Sequence, residues 1–217
     1  MENLDITAVI RMALILGHLL AFAVAAAAVA FGDFALFARR RVDTVLLSKA
    51  ANAATTALTA LWISGLAVIW LDTRFDLTVL ASKPKLLAKL TIVTVLTLNG
   101  IALHRLVFPR VGQPQHDPQR AAILPVVLGA ISATTWPFAA FLGVAKALAP
   151  VLGYSGFMVL YALALSAGVA IGLKFVRPRL AAQIPPRGRA VRRRDARDLD
   201  PQAGPYRLGG PELRQSL

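Results

Sequence analysis

A histidine and a lysine are the ionisable side chains within the long apolar runs of this sequence that are best suited to chemistry. His18 belongs to the first run and Lys89 to the third. A neutral imidazole offers one donor and one acceptor nitrogen and binds haem iron or other metal ions. A charge at the bilayer centre costs on the order of 2.5–3.5 kcal/mol on insertion scales, so an ionisable residue there needs a reason. His18 is therefore the first candidate for a metal or haem ligand, although membrane histidines also serve in helix packing.

Polar residues of the second and third runs extend this candidate site. A stripe at helical spacings of three and four comprises Ser48, Asn52, Thr55, Thr59 and Trp62. Asn99 lies deep in the third run, nearer the level of His18, whereas Lys89 lies about one turn inside its boundary and can also reach water. Such residues either hydrogen-bond helices together or line a polar cavity. On the second interpretation, the first three helices enclose a polar site around His18, Asn52, Trp62, Lys89 and Asn99.

The elements that position these residues are predicted to be membrane-spanning helices. The chain is 57% hydrophobic and only 16% charged, and its mean hydropathy is +0.62; soluble domains are roughly 45–50% apolar. Five apolar runs each exceed the roughly 20 residues that a spanning helix needs. They cover residues 7–37, 44–71, 86–108, 121–149 and 154–176. The prediction is an all-α integral membrane protein, a bundle of five transmembrane helices within residues 1–176, followed by a basic tail at 177–217.

Charge distribution predicts the orientation of the bundle. The first run is longer than the roughly 7–15 residues of a signal-peptide core, and its strongest basic block, Arg39 to Arg41, follows it, so it reads as a retained span. Basic residues that include Arg105, Arg120 and Lys174 fall on the same side after later crossings. Positive charge stays in the cytoplasm during insertion. We therefore expect a bacterial inner-membrane protein with its N-terminus outside and its C-terminus in the cytoplasm, against which Arg74 and Lys83 are the contrary residues.

The tail at 177–217 is rich in Pro, Gly and Arg and has no periodic apolar face. Such a composition buries too little apolar area to offset its ordering entropy, which predicts a disordered tail. Its arginines favour anionic lipid headgroups as the partner, besides the lipid bilayer itself. The net charge of +13 follows from helix ends and tail, so nucleic-acid binding is not expected. A homo-oligomer or another membrane partner stays open.

Several chemistries have no support in the residues. The chain has no cysteine, which removes disulfides, thiolate metal sites and cysteine nucleophiles. Nucleotide-binding loops, serine-hydrolase elbows, zinc-protease motifs and paired buried carboxylates do not occur in the spans. A bis-histidine haem is not expected, because His18 and His104 enter from opposite membrane boundaries. Gly168 and Gly172 form a GxxxG spacing, which predicts close helix packing.

The first half of the chain resembles known bacterial proteins. His18, the step Ser64-Gly65-Leu66 and the segments SKPKLLAKL and LNGIALH are similar to small membrane proteins of the DUF2214, CopD-like and HemJ-like families. This resemblance implies a helical inner-membrane bundle, with copper handling in CopD-like members and haem b and protoporphyrinogen oxidation in HemJ-like members. HemJ-like proteins depend on a first-helix histidine and a later lysine, for which His18 and Lys89 are the matches. The chain departs from a copper path, since its three Met and three His residues form no cluster.

Three hypotheses therefore follow from the sequence. The first is a protein that binds a b-type haem or porphyrin at the polar site around His18 and has a redox role, an enzymatic activity being left open. The second is a transporter, or an accessory subunit of one, for a metal ion or small solute that passes along the same polar seam. The third is a membrane scaffold without a ligand.

Overall fold

A computed structural model describes residues 5–37, 43–110 and 113–185, which form helices and no β-strand. The α-helices in chain order are α1 (Ile6–Phe37), α2 (Thr44–Thr73), α3 (Leu77–Ala81), α4 (Pro84–Ala102), α5 (Pro118–Ala121), α6 (Ile123–Val144), α7 (Ala149–Ile171) and α8 (Arg177–Gln183). Helix α4 continues through a π-helical turn at Leu103–Val107 and a 3-10 turn at Phe108–Arg110. Helix α7 continues through a π-helical turn at Gly172–Val176 into α8.

Five helical segments are long and apolar enough to cross a bilayer, which confirms the predicted five-helix membrane fold. They comprise Ile6–Gly32, Val45–Thr73, Pro84–Arg110, Pro118–Val144 and Ala149–Gln183. Their outward faces carry large, exposed apolar side chains; Leu16, Leu20 and Leu163 are each about 60% exposed. Water does not tolerate so much continuous apolar surface, and lipid does. The described part of the chain is therefore a multi-pass α-helical membrane protein.

Aspartates begin the helices that follow the loops. The side chains of Asp43, Asp76 and Asp117 accept hydrogen bonds from backbone N–H groups of the first turns of α2, α3 and α5. An Asp at this position satisfies donors that have no partner inside the helix. The α2–α3 turn is made by Arg74 and Phe75, which have positive φ angles of 52° and 59°.

The connection between α6 and α7 differs from the sequence prediction. The turn expected at Pro150 to Gly153 lies instead at 145–148, because α6 already ends at Val144. Pro150 occupies the first turn of α7, where the missing N–H of proline costs nothing. Gly153 bends the helix with φ 57° and ψ −165°, a conformation open to glycine.

The beginning of the predicted tail is also ordered differently. Residues Arg177–Gln183 form α8, and Leu180 and Ala181 are buried against Ala122 and Val126. The burial of these two apolar side chains explains why this stretch packs although its composition is polar. The rest of the predicted disordered tail, residues 186–217, lies outside the described residues, as does the basic block Arg39 to Arg41.

The helices form two groups. Helices α1 and α2 pack along each other as an antiparallel pair, the hairpin, while α4, α6 and α7 form a three-helix group. The core of the three-helix group comprises Ala88, Ile92, Phe138, Ala139, Leu142, Ala145, Phe157 and Tyr161. A smaller set, the junction cluster, joins the two groups and comprises Ala25, Ala57, Leu61, Leu96 and Trp136. The hairpin is thus attached to the three-helix group mainly through side chains near mid-membrane.

The two ends of the bundle carry different polar contacts. At the N-terminal end, where α1 begins and α2 stops, Arg11 pairs with Asp72 at 3.1 Å and Lys85 donates to the carbonyl of Gly143 at 3.3 Å. At the opposite end, named the arginine end for Arg105, Arg110, Arg120 and Arg177, the guanidinium of Arg177 donates to the carbonyl of Gln119 at 3.1 Å. These contacts place alternate helix ends together, as an up-and-down bundle requires.

Candidate functional site

His18 faces α2 and is tied to it by a hydrogen bond. Its Nδ1 lies 2.8 Å from Ser64 Oγ. The single hydroxyl hydrogen of Ser64 is directed at the carbonyl of Ala60, 2.7 Å away, because a carbonyl oxygen cannot donate. Ser64 Oγ therefore accepts from Nδ1–H of His18, and in the neutral ring Nε2 keeps its lone pair. This is the arrangement typical of a ligating histidine, whose other nitrogen is fixed by a hydrogen bond.

A glycine gives the imidazole its place on α2. A Cβ atom added at Gly65 would lie 3.5 Å from Cε1 of His18 and 3.9 Å from its Nδ1. These are ordinary contact distances, so the ring lies against the backbone of α2 at Gly65. An alanine substituted at Gly65 would fill the remaining gap. A longer side chain at Gly65 displaces the ring. The consecutive residues Ser64 and Gly65 therefore act together: Ser64 accepts the hydrogen bond of the imidazole, and Gly65 leaves space for the ring against α2.

Lys89 lies at the same level of the bundle as His18. His18 precedes Ala25 by seven residues and Lys89 precedes Leu96 by seven, and Ala25 and Leu96 both belong to the junction cluster. Both residues are consequently about two helical turns, roughly 10 Å, nearer the N-terminal end than that cluster. The side chain of Lys89 is half-buried, and within the three described ranges no hydrogen bond or ion pair reaches its Nζ.

Asn52 and Trp62 lie elsewhere, on a shallow cavity of about 480 Å³ between α2 and α4. Trp62 Nε1 donates to Thr97 Oγ1 at 2.9 Å. Thr55 Oγ1 lies 3.1 Å from His104 Nε2 and donates its hydrogen to the carbonyl of Ala51. Most residues of the predicted polar stripe therefore lie on one face of α2, at the shallow cavity. This face joins the hairpin to α4 and its π-helical turn through two side-chain hydrogen bonds.

Asn99 is buried against α6. Its Nδ2 donates to the carbonyl of Leu128 and to Ser132 Oγ, both at 3.0 Å. Its Oδ1 is buried without a hydrogen-bond partner among the described residues. Asn99 thus makes the interhelical hydrogen bond that the packing interpretation predicts.

The five predicted site residues are therefore distributed over three places. His18 and Lys89 share one level between the hairpin and the three-helix group, Asn52 and Trp62 line the shallow α2–α4 cavity, and Asn99 joins α4 to α6. Helical geometry explains the division: Trp62 and Ser64 are two residues apart and point to nearly opposite faces of α2, and Lys89 and Asn99 point roughly 80° apart on α4. We call His18, Ser64, Gly65 and Lys89 the polar site.

A much larger cavity, which the sequence did not predict, lies between the hairpin and the three-helix group toward the arginine end. Its volume is about 1090 Å³. The hairpin contributes small side chains such as Ala28 and Ala54, and the three-helix group contributes Gly129, Ala133 and His104. Both π-helical turns, Leu103–Val107 and Gly172–Val176, supply residues to its wall. π-Helical turns are rare in proteins as a whole, and those that occur often lie at functional sites. They have no sequence signature.

The metal-binding capacity of the polar site is that of one imidazole. The described residues contain no group of three His, Asp or Glu side chains that would hold a metal ion unaided. A haem iron needs only one axial histidine, since the porphyrin supplies the other nitrogen ligands. The residues present at the polar site therefore fit a haem better than a bare metal ion.

Comparisons with protein-family models, with curated proteins and with solved structures find no match to this chain. Its class consequently follows from the fold and the site: a multi-pass α-helical membrane protein with an imidazole and an ammonium inside the bundle. The resemblance to DUF2214, CopD-like and HemJ-like proteins stays a prediction.

Proposed function

We propose that the protein binds a b-type haem or a related porphyrin at the polar site and has a redox role in the membrane. The observation that carries this proposal is the fixed imidazole of His18, whose Nδ1–H is held by Ser64 and whose Nε2 lone pair stays available. An imidazole held in this way is suited to serve as an axial ligand of haem iron. A bound haem supplies one-electron chemistry.

The charge of Lys89 supports the same ligand class. An ammonium group within a membrane needs an anion or several dipoles around it, and no carboxylate of the described residues pairs with Lys89. Porphyrins of the haem b type carry carboxylates. A ligand that offers both a metal centre and an anion matches an imidazole and an ammonium at one level of the bundle.

Haem binding at the polar site requires the hairpin and the three-helix group to move apart, because neither cavity described above includes His18 or Lys89 in its wall. The hairpin and the three-helix group meet mainly at the junction cluster, and the polar site lies about two turns away from it, along the same seam. Side-chain contacts of this kind allow a flat ligand to separate the two groups locally without breaking the helices.

We further propose that the arginine end faces the cytoplasm of a bacterial cell and that the bundle lies in the inner membrane. The described basic residues at that end include Arg105, Arg110, Arg120 and Arg177, and loops on the cytoplasmic side carry an excess of Lys and Arg. Reporter fusions at each terminus test this orientation: an alkaline phosphatase active at the C-terminus contradicts it.

An absorbance spectrum tests the haem proposal. The full-length protein, expressed with ample haem and purified in detergent, is expected to show a Soret band that shifts on reduction. His18→Ala is expected to abolish the band, and Lys89→Gln to lower haem occupancy. His116→Ala is the matched control because His116 lies in the loop before α5, and it leaves the band unchanged.

The same experiment separates the candidate ligands. A Soret band that survives His18→Ala and disappears in His104→Ala assigns haem to one of the two cavities that His104 lines and rejects the polar site. Absence of any Soret band from the unaltered protein rejects haem altogether and leaves the scaffold or a transporter.

One observation favours the transporter alternative. Leu96 and Trp136 belong both to the junction cluster and to the wall of the large cavity, so an apolar plug separates this cavity from the polar site. Single-cysteine variants test this path without background, because the chain has no cysteine. For a transporter, Ser64→Cys reacts with an impermeant thiol reagent from both sides of the membrane, and for a closed binding site it does not.

A further inference from the structure

The large cavity has an apolar body and a polar mouth. Ala28, Gly32, Ala54, Gly100 and Gly129 line the body, while Arg110, Arg120 and Gln183 line it at the arginine end. A cavity of about 1090 Å³ exceeds the roughly 300–1,000 Å³ of common small-molecule pockets. Its shape in the membrane therefore suits a long apolar molecule with a polar head.

The mouth is positively charged. Arg110 makes no ion pair with any residue that the structure describes, and Arg120 is paired at 3.3 Å only with Asp117, which is itself half exposed. Two guanidinium groups at one cavity with a single carboxylate leave an excess positive charge. Guanidinium groups bind phosphate oxygens through paired hydrogen bonds.

Gln183 adds an unsatisfied acceptor at the same mouth. Its Oε1 is buried, and no hydrogen-bond partner contacts it among the described residues. A buried amide oxygen without a donor is costly, on the order of 1–3 kcal/mol, and calls for a partner. A rotation of the Gln183 side chain toward the cavity would present this oxygen to a hydroxyl group on the head of a bound molecule.

The cavity also reaches the lipid-facing surface. Leu106 and Leu124, which line it, are 43% and 37% exposed. A molecule can therefore enter sideways from the bilayer as well as from the arginine end. This access favours a membrane lipid over a water-soluble anion.

We propose that the large cavity binds an acidic glycerophospholipid whose head group carries hydroxyls, of the phosphatidylglycerol type. Its phosphate lies between Arg110 and Arg120, a head-group hydroxyl donates to Gln183, and an acyl chain occupies the space between the hairpin and the three-helix group. The proposal is independent of haem binding, since it involves neither His18 nor Lys89.

Quenching of Trp136 by brominated lipid tests this site, because Trp136 lines the cavity. The full-length protein carrying Trp62→Phe and Trp70→Phe retains Trp136 as its only tryptophan, since the chain has three. It is reconstituted in phosphatidylcholine vesicles with increasing fractions of brominated phosphatidylglycerol or of brominated phosphatidylcholine. The acidic lipid is expected to quench at a mole fraction lower by on the order of tenfold.

Matched variants separate the cavity from general surface charge. Arg110→Gln with Arg120→Gln is expected to remove the preference for the acidic lipid. Lys174→Gln with Arg179→Gln removes two charges from the same end without touching the cavity wall, and is expected to keep it. Gln183→Met is expected to reduce the advantage of phosphatidylglycerol over brominated phosphatidic acid, which lacks the hydroxyl head.

A filled cavity provides the second control. A Cβ atom at Gly129 or at Gly17 meets nothing within 4 Å, so a larger side chain begins in open space at either position. Gly129→Leu occupies the cavity and is expected to abolish quenching by the acidic lipid at low mole fraction, whereas Gly17→Leu on the outer face of α1 is expected to leave it intact. Equal quenching by the two lipids, or equal effects of the two leucines, overturns the proposal.

Discussion

His18 on α1 donates a hydrogen bond from Nδ1 to Ser64 Oγ on α2 over 2.8 Å, and the hydroxyl of Ser64 donates a hydrogen bond to the carbonyl of Ala60. The direction of both hydrogen bonds is set by the carbonyl of Ala60, which can only accept. A single backbone oxygen of α2 therefore determines which nitrogen of a side chain on α1 is free for chemistry.

The tautomer of His18 is the first prediction. In protein with ¹⁵N-labelled histidine, NMR is expected to show protonated Nδ1 and unprotonated Nε2 for the neutral ring of His18, with His18→Ala providing the assignment. Ser64→Ala removes the acceptor, and we expect both tautomers to appear and the stability to fall by about 1 kcal/mol. A ring protonated at Nε2 in the unaltered protein contradicts the hydrogen-bond order.

The hydrogen bond from Trp62 to Thr97 is expected to stabilise the attachment of the hairpin to α4. A double-mutant cycle of Trp62→Phe and Thr97→Val, read from unfolding in mixed detergent, is expected to give a coupling of about 0.6 kcal/mol, the average for such bonds in membranes. Thr97→Ser keeps the hydroxyl and serves as the control. A coupling near zero shows that the bond contributes nothing.

The contact between α6 and α7 depends on Gly168. A Cβ atom at Gly168 would overlap Thr134 Oγ1, so Gly168→Ala is expected to destabilise the protein by about 1–3 kcal/mol through overpacking. Thr134→Ala in the same chain removes the overlap and is expected to restore most of the loss. Gly143→Ala is the matched control, because its Cβ meets nothing within 4 Å. A stability loss that Thr134→Ala leaves unchanged contradicts the overlap.

The cap of α3 gives a pH-dependent prediction. The hydroxyl of Thr78, followed by the backbone N–H groups of Thr78 and Val79, lowers the pKa of Asp76 below its ordinary value of 3.8. A depressed pKa means that the cap stabilises α3 above the ordinary pKa and that this contribution is lost as pH falls through the folded pKa. Faster amide exchange at Thr78 and Val79 below about pH 3.8, absent in Asp76→Asn, is the expected result.

Much of the fold was predictable because hydropathy and length decide whether a helix crosses a membrane. Five spans were predicted and the described residues contain five helical segments of sufficient length, with bounds that differ most around the α6–α7 connection, where α6 ends at Val144 and α7 begins at Ala149. The GxxxG prediction also held, since a Cβ at Gly172 would lie 3.2 Å from Val126 Cγ1. The start of α7 was missed because proline is typical both of turns and of the first turn of a helix, and Pro150 lies in the first turn of α7.

The candidate site was predictable only in part. Residue type singled out His18, Lys89, Asn52, Trp62 and Asn99, but spacing along one helix says nothing about which neighbour each face meets. The division between the polar site and the α2–α4 cavity depends on how the hairpin is rotated against α4, a property of packing. The sequence did not predict the large cavity, because many residues of its wall are small and common. A sequence does not show how much space is left between such residues when the helices pack.

The loose attachment of the hairpin has a consequence for how the protein is made. Since α1 and α2 bury each other and meet the remaining helices chiefly at the junction cluster, the first two spans can insert and pair before the later three leave the ribosome. A gene cut in the α2–α3 turn and expressed as two polypeptides therefore yields fragments that find each other in the membrane and assemble.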